Sequence, residues 1–232
     1  MSAVLYPTAP HGSSLRIAGM LPFRGLLNPK SRLGEALIIE ERRELALTLV
    51  QRAIAAMLDA GVHPLAVVTL DPALDDGRFD PRITLLVQPR PGLNGAIRLG
   101  QRWAIEQGAD ALLVLLPDLP LLTAADIRAL CAAAAPHSAV IAPDRHGRGT
   151  NALLLAPPDA IPPSFGVDSA LRHRTALALA EISVTDVQRP GTWLDVDTPD
   201  DLSVLGSTQL VQAQVAPTAD VQVQVRMQAH LP

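Results

Sequence analysis

Three groups of residues in this chain of 232 have types and spacing suited to chemistry on phosphates. The first is Pro22-Phe-Arg24-Gly-Leu-Leu-Asn-Pro-Lys30-Ser31-Arg32, a loop following an apolar run of strand length. Arg24, Lys30 and Arg32 place three cations together, an arrangement that suits a polyphosphate. Lys30 is the sole lysine among 19 basic residues, the rest being arginine, which singles it out. The loop is not a Walker A element: Gly25 and Lys30-Ser31 have the spacing, but Pro29 stands where the second glycine belongs. An ordinary solvated basic loop would read the same way.

The second group is acidic. Asp118 follows the continuously apolar run Ala111–Leu116, and a carboxylate at the mouth of a buried strand is costly unless something pairs with it. A divalent cation bound jointly with substrate phosphates is one such partner, and capping of a turn is the plainer alternative. Asp195 and Asp197 in Leu194-Asp-Val-Asp-Thr-Pro share one face of an extended segment, where two carboxylates repel unless a cation lies between them. Asp200 and Asp201 have a simpler account as acids in the first turn of a helix, complementing its dipole.

The third group is a pair of small-residue loops. Gly147-Arg-Gly149-Thr150-Asn151 and Phe165-Gly166-Val-Asp168-Ser169 let backbone amides and hydroxyls approach an anion closely, the latter at a helix start. Together they suggest a second anion pocket, separate from the basic loop. Gly92-Leu-Asn94 precedes another helix and either holds a purine base or is a turn with Asn94 as N-cap. His146 and His173 lack metal-ligand spacing and are read as surface or supporting residues. Cys131 sits among alanines and is read as core.

The elements that must position these loops alternate. Strand-like runs occur at 15–21, 65–70, 83–87, 111–116, 139–142, 152–155 and 182–187. Helical patterns cover 40–60 and 94–107, each followed by glycine, and 168–180. Thr123-Ala-Ala-Asp126 resembles a capping box opening a helix through Ala135, and Thr198-Pro199 is a helix start. This alternation predicts an α/β domain over 15–206 with a mostly parallel sheet, whose ligands gather beyond the carboxyl ends of the strands. Residues 1–14 read as a flexible leader. Residues 207–232, with the alternating Val221–Val225, read as a low-complexity tail or an edge strand.

Composition excludes several classes. A net charge of −4 with 3% aromatic residues argues against a nucleic-acid partner. No run approaches the ~18 apolar residues of a membrane span, and the amino terminus does not read as a secretory signal. One cysteine makes no internal disulfide, so a cytoplasmic protein is expected. Gly-X-Ser-X-Gly, His-Glu-X-X-His and Gly-X-Gly-X-X-Gly are absent, which weakens hydrolase, zinc-protease and dinucleotide readings.

Taken in order, Lys30-Ser-Arg-Leu33, the Glu-Arg-Arg-Glu-Leu-Ala run at 41–46, Gly92-Leu-Asn94, Asp118-Leu-Pro-Leu, Gly149-Thr-Asn151, Phe165-Gly166…Ser169 and Leu194-Asp-Val-Asp-Thr-Pro-Asp-Asp-Leu202 carry a resemblance. Over about 16–205 the chain resembles the 2-phospho-L-lactate or phosphoenolpyruvate guanylyltransferases of deazaflavin coenzyme F-420 biosynthesis. The resemblance implies a Rossmann-like, GT-A-like nucleotidyltransferase fold: a mixed, mostly parallel sheet flanked by helices. It implies GMP transfer from GTP to 2-phospho-L-lactate, phosphoenolpyruvate or 3-phosphoglycerate, with release of pyrophosphate. By position, Lys30 and Arg32, with Arg24 beside them, would hold the GTP phosphates, and Gly92 and Asn94 would lie by the nucleotide. Asp118, Asp195 and Asp197 would hold Mg²⁺, with Lys30 and Asp118 catalytic, and Thr150, Gly166 and Ser169 would bind the acceptor. The family pattern begins Pro-Val-Lys where this chain has Pro22-Phe-Arg24. A homodimer is compatible with such a chain. The competing expectations are a related enzyme using another nucleotide on a sugar, polyol or molybdopterin phosphate, and a non-catalytic nucleotide-binding regulator.

Overall fold

The computed structural model describes residues 15–206; the leader at 1–14 and the tail at 207–232, including the alternating Val221–Val225, lie outside the described residues. Seven strands form one sheet: β1 Ile17–Pro22, β2 Leu65–Thr69, β3 Ile83–Val87, β4 Ala111–Leu115, β5 Ser138–Pro143, β6 Thr150–Ala156 and β7 Ser183–Asp186. Their spatial order is β3-β2-β1-β4-β6-β5-β7. β1 pairs in parallel with β2 and β4, β2 with β3, and β5 with β7, whereas β6 runs antiparallel to both β4 and β5. The antiparallel strand has a plain cause. Only residues 144–149 separate β5 from β6, far too few for the crossover that parallel neighbours need.

Helices cover both faces. They are α1 Ile39–Asp59, α2 Leu93–Glu106, α3 Ala124–Ala132, α4 Ser169–Leu179 and the single turn α5 Pro190–Trp193. A further helical segment, 199–206, begins at Pro199 as its start signal predicts. In α1 the Glu41 carboxylate accepts a hydrogen bond from the Ile38 amide at 2.9 Å, and the chain leaves the helix through Gly61 at φ +83°. α3 ends three residues earlier than its pattern suggests, because the Ala135 amide turns to donate to Ser138 Oγ at 2.9 Å. Its capping box is present: Asp126 Oδ2 accepts from the Thr123 amide at 3.0 Å.

Alternate residues along each central strand feed two cores. Leu21, Val67, Leu113 and Leu154 pack with Val50, Ala53 and Met57 of α1 and with Ile127 of α3. Met20, Ala66, Leu112 and Leu153 pack with Ile97 and Trp103 of α2 and with Leu177 of α4. The second layer is close: a Cβ on Gly100 would collide with Met20 Sδ, so a larger residue there would force the buried Met20 side chain to shift. Cys131 is half-buried against the first core, and burial raises its thiol pKa to about 11, consistent with a packing role. Among the described residues no helix is long and apolar enough to cross a membrane.

This strand order contains a topological switch. From β1 the chain moves toward β2 and β3; α2 then carries it back so that β4 lies on the other side of β1. The crevice beyond the carboxyl ends of β1 and β4 is where such sheets bind ligands. Lys30 follows β1 and Asp118 follows β4.

Candidate active site

Lys30 is the hub. Its backbone adopts the left-handed conformation, φ 48° and ψ 45°, at the start of the 3-10 turn Ser31–Leu33. Few side chains take this conformation without a local reason. Here it turns the side chain inward, where only 12% is exposed, and Nζ donates to Asp118 Oδ2 at 3.3 Å and to Asp197 Oδ1 at 3.0 Å. Burial alone would lower the ammonium pKa, but the charges of Asp118 and Asp197 outweigh it and the net shift is upward. The lysine is therefore held charged between two acids that are distant in sequence, and it brings the β1 loop to both.

The loop that presents Lys30 is pinned by α1. Arg42 Nη1 donates to Asn28 Oδ1 at 3.0 Å and to the Pro29 carbonyl at 3.1 Å, while Arg43 Nε donates to the Leu26 carbonyl at 2.9 Å. These two arginines belong to the Glu-Arg-Arg-Glu run, whose role the spacing did not reveal. Arg24 and Arg32, in the same loop region, are exposed, and neither forms an ion pair among the described residues. Two uncompensated guanidinium groups thus flank the lysine in sequence.

The acidic segment is tied to β4 through the backbone, where the Val196 amide donates to the Asp118 carbonyl at 3.1 Å. Asp201 sets the turn that follows. Its Oδ2 accepts from the amides of Asp197 at 2.9 Å and Thr198 at 2.7 Å and from Thr198 Oγ1 at 2.9 Å. Its Oδ1 meets Arg145 Nη2 at 2.7 Å, with the side chains 9% and 17% exposed. The expectation that Asp201 merely complements a helix dipole is thereby corrected: it is a buried anchor for Asp197, whereas Asp200 is exposed. Asp195 is half-buried. Burial first, then the charges of Asp118, Asp197 and Asp201, raises its pKa to about 6. The three aspartates therefore converge, with Asp118 and Asp197 close enough to disfavour the charge of Asp195.

They do not form a ready-made cage. Among the described residues no group of three carboxylate, histidine or cysteine side chains is gathered tightly enough to hold a metal ion unaided. Lys30 bridges Asp118 to Asp197 instead. Even so, Asp118 Oδ1 is buried without a hydrogen-bond partner, and Asp195 is an acid crowded by acids. That donor set fits a cation taking one or two carboxylates and completing its shell from substrate phosphates and water.

Thr150 and Ser169, each 2% exposed, lie together: Ser169 Oγ and Thr150 Oγ1 are 3.1 Å apart. Gly166, at φ +117°, borders an open cavity of about 470 Å³ with Asp144, His146, Arg148, Gly149, Val167 and Asp168. Asn94 is neither N-cap nor free. Gly92 is the N-cap of α2, at φ 141°, and the Asn94 amide is engaged with Phe165, donating to its carbonyl at 3.2 Å and accepting from its amide at 2.8 Å. Asn94 thus ties the start of α2 to the Phe165-Gly166 loop. Asn151 has a similar structural task, donating to the Thr192 carbonyl at 3.0 Å. His146 is exposed as expected, but His173 is fully buried behind Thr150.

Residues 17–207 match the family described as guanylyl transferase, CofC-like. The chain belongs to this family. It is accordingly a nucleotidyltransferase. The phosphoenolpyruvate guanylyltransferase of Sphaerobacter thermophilus is 40% identical over 187 residues, covering 80% of this chain and 90% of that one. The protein of the same name from Rubrobacter xylanophilus is 40% identical over 200 residues, covering 85% and 97%. A 3-phospho-D-glycerate guanylyltransferase from Colwellia psychrerythraea is 29% identical over 187 residues, covering 80% and 89%. Among solved structures, a nucleotidyl transferase from Methanothermobacter superposes with a TM-score of 0.62 at 17% identity, covering 85% of this chain and 99% of that one. That likeness shows the fold.

Proposed function

We propose that this guanylyltransferase takes GTP as donor and a phosphorylated three-carbon acid as acceptor, in the assembly of a deazaflavin coenzyme. Phosphoenolpyruvate, 2-phospho-L-lactate and 3-phosphoglycerate share the necessary chemistry: a phosphate nucleophile beside a carboxylate. The observation that carries this reading is Lys30, held between Asp118 and Asp197 at the β1–β4 switch with Arg24 and Arg32 uncompensated on either side of it in sequence. The names of the relatives from Sphaerobacter and Colwellia support the acceptor class.

In the reaction an oxygen of the acceptor phosphate attacks the α-phosphorus of GTP. The bond from that phosphorus to the oxygen bridging to the β-phosphate breaks, and pyrophosphate leaves with the bonding pair. A new phosphoanhydride joins GMP to the acid. The nucleophile is already an anion, so no general base is needed, and catalysis rests on positioning and charge. Lys30 meets the oxygens on which charge gathers. Arg24 and Arg32 take the departing phosphates. Gly92 offers backbone to the nucleotide, with Asn94 joining that turn to the loop of Gly166, and Thr150, Gly166 and Ser169 hold the acceptor.

Asp118 and Asp195, with Asp197 beside them, would hold Mg²⁺. When bound it supplies a Lewis acid that offsets charge on the triphosphate. Lys30 and the metal then divide three carboxylates that Lys30 alone leaves under-neutralised.

Coupled measurement of pyrophosphate release tests the reading, with GTP and each of the three acids in Mg²⁺ buffer. Turnover with GTP and at least one acid is expected. Turnover with CTP or UTP and a sugar phosphate, and none with GTP, would overturn it in favour of another nucleotidyltransferase.

A further inference from the structure

His173 is a buried titratable group that the mechanism above does not use. It lies on α4 at 0% exposure, its ring meets Phe165 edge-on with centroids 4.7 Å apart, and both ring nitrogens are engaged. The Ser164 amide donates to Nε2 at 3.2 Å, and Nδ1 lies 3.1 Å from Thr150 Oγ1. A backbone amide can only donate, so Nε2 must be bare. Burial, reinforced by Arg172, depresses the imidazole pKa to about 4, so the ring is neutral and its single proton sits on Nδ1.

That tautomer fixes the protons of the hydroxyl pair. Nδ1–H donates to Thr150 Oγ1, so Thr150 accepts from the histidine. Thr150 and Ser169 then share one hydrogen bond, 3.1 Å long, which uses one of their two hydroxyl protons. Whichever of them donates, the other proton has no acceptor among the described residues. With the opposite tautomer, Thr150 would donate to Nδ1 and Ser169 to Thr150. Both protons would be spent, leaving the pair only lone pairs, which repel an anion.

We propose that His173 is a positioning residue for the acceptor: locked by the Ser164 amide, it reserves one hydroxyl proton of the Thr150–Ser169 pair for an anionic oxygen of the acid. This rests on the acceptor site proposed above. It adds that the site's preference for an anion is set by a residue that need not touch the substrate.

Kinetics and imidazole nitrogen NMR test it on the full chain. Long-range proton–nitrogen correlation of wild type at neutral pH should show His173 protonated at Nδ1 and bare at Nε2; protonation at Nε2 would overturn the proposal. His173→Phe, which keeps a ring against Phe165, should raise the KM for phosphoenolpyruvate about three- to tenfold, the scale of one hydrogen bond, with the KM for GTP within twofold. His173→Asn, which can still donate near the Nδ1 position, should recover part of the loss. Thr150→Val should raise the same KM, and adding His173→Phe to it should raise it little further, since the histidine acts through Thr150. An acceptor KM that moves in Thr150→Val but not in His173→Phe refutes the histidine's role and leaves the acceptor site standing. An acceptor KM unmoved in Thr150→Val refutes the site itself. Multiplicative effects in the double variant, or a GTP KM rising in step, would reduce His173 to a packing residue. Should His173→Phe fail to fold, His173→Asn and the wild-type spectrum decide.

Discussion

Replacing Asp195 by asparagine should make the metal-free protein more stable and the enzyme inactive. The folded environment raises the Asp195 pKa from an ordinary 3.8 to about 6, through burial and the neighbouring charges of Asp118, Asp197 and Asp201. Between those values the folded chain keeps a proton that the unfolded chain has released. Stability therefore falls as pH rises through about 4 to 6, and the deficit is complete above that window. The displacement corresponds to about 3 kcal/mol at most, and solvent screening at a half-buried side chain reduces this to about 1–2 kcal/mol. The asparagine side chain has the same shape and no charge to desolvate. In EDTA at pH 7.5 the melting temperature of Asp195→Asn should exceed that of wild type by roughly 2–8 °C, and at pH 4 the difference should nearly vanish. Differential scanning calorimetry at the two pH values measures both. A variant no more stable than wild type at pH 7.5, or equally stabilised at pH 4, would show that Asp195 is not crowded as described. With Mg²⁺ and GTP added, wild type should gain more than the variant, because the asparagine removes a proposed ligand.

Other substitutions probe the neighbouring contacts. Lys30→Met leaves Asp118 and Asp197 facing each other without their shared cation; kcat/KM should fall about 100-fold or more, read from pyrophosphate release. Lys30→Arg should not restore it, since a planar guanidinium cannot replace a compact ammonium at this site. Asp201→Asn leaves Arg145 buried without its counter-charge and loosens the turn carrying Asp197, so chemical denaturation should show a loss of about 3–5 kcal/mol. Gly100→Ala drives a methyl into Met20 and should destabilise by about 1–3 kcal/mol without changing the acceptor KM.

Much of this architecture is written locally. The apolar run at 111–116 became β4, buried on both faces, because five consecutive apolar side chains fit a strand covered by helices on each side. Thr123 and Asp126 marked the start of α3 because a capping box needs only four residues. Lys30, Asp118 and Asp197 were identifiable because each departs from its surroundings: one lysine in an arginine-rich chain, and acids at the mouth of a buried strand or sharing one face.

What escaped reading depends on distant partners. Asn94 had the position of a cap, but its amide meets Phe165, 71 residues away. Asp201 looked like a dipole partner because nothing local announces Arg145, whose guanidinium reaches it from the β5–β6 loop. His173 lacked metal-ligand spacing, and its engagement with Thr150 and Ser164 arises from packing of α4 on the sheet. Arg42 and Arg43 stood in a motif of the resemblance with no role assigned, because the loop carbonyls they hold behind Lys30 lie 13 and 17 residues away. The antiparallel course of β6 did leave a signal, in the brevity of residues 144–149.

The central claim is that one acidic pocket around Lys30 moves a guanylyl group onto a phosphorylated acid. Phosphorus NMR of wild type and Asp118→Asn, each incubated with GTP, phosphoenolpyruvate and Mg²⁺, tests it most directly. Wild type should convert the two substrates into pyrophosphate and a phosphoanhydride of GMP, while the folded variant leaves both intact. Equal conversion by the variant, or wild-type cleavage of GTP without formation of that phosphoanhydride, would contradict it.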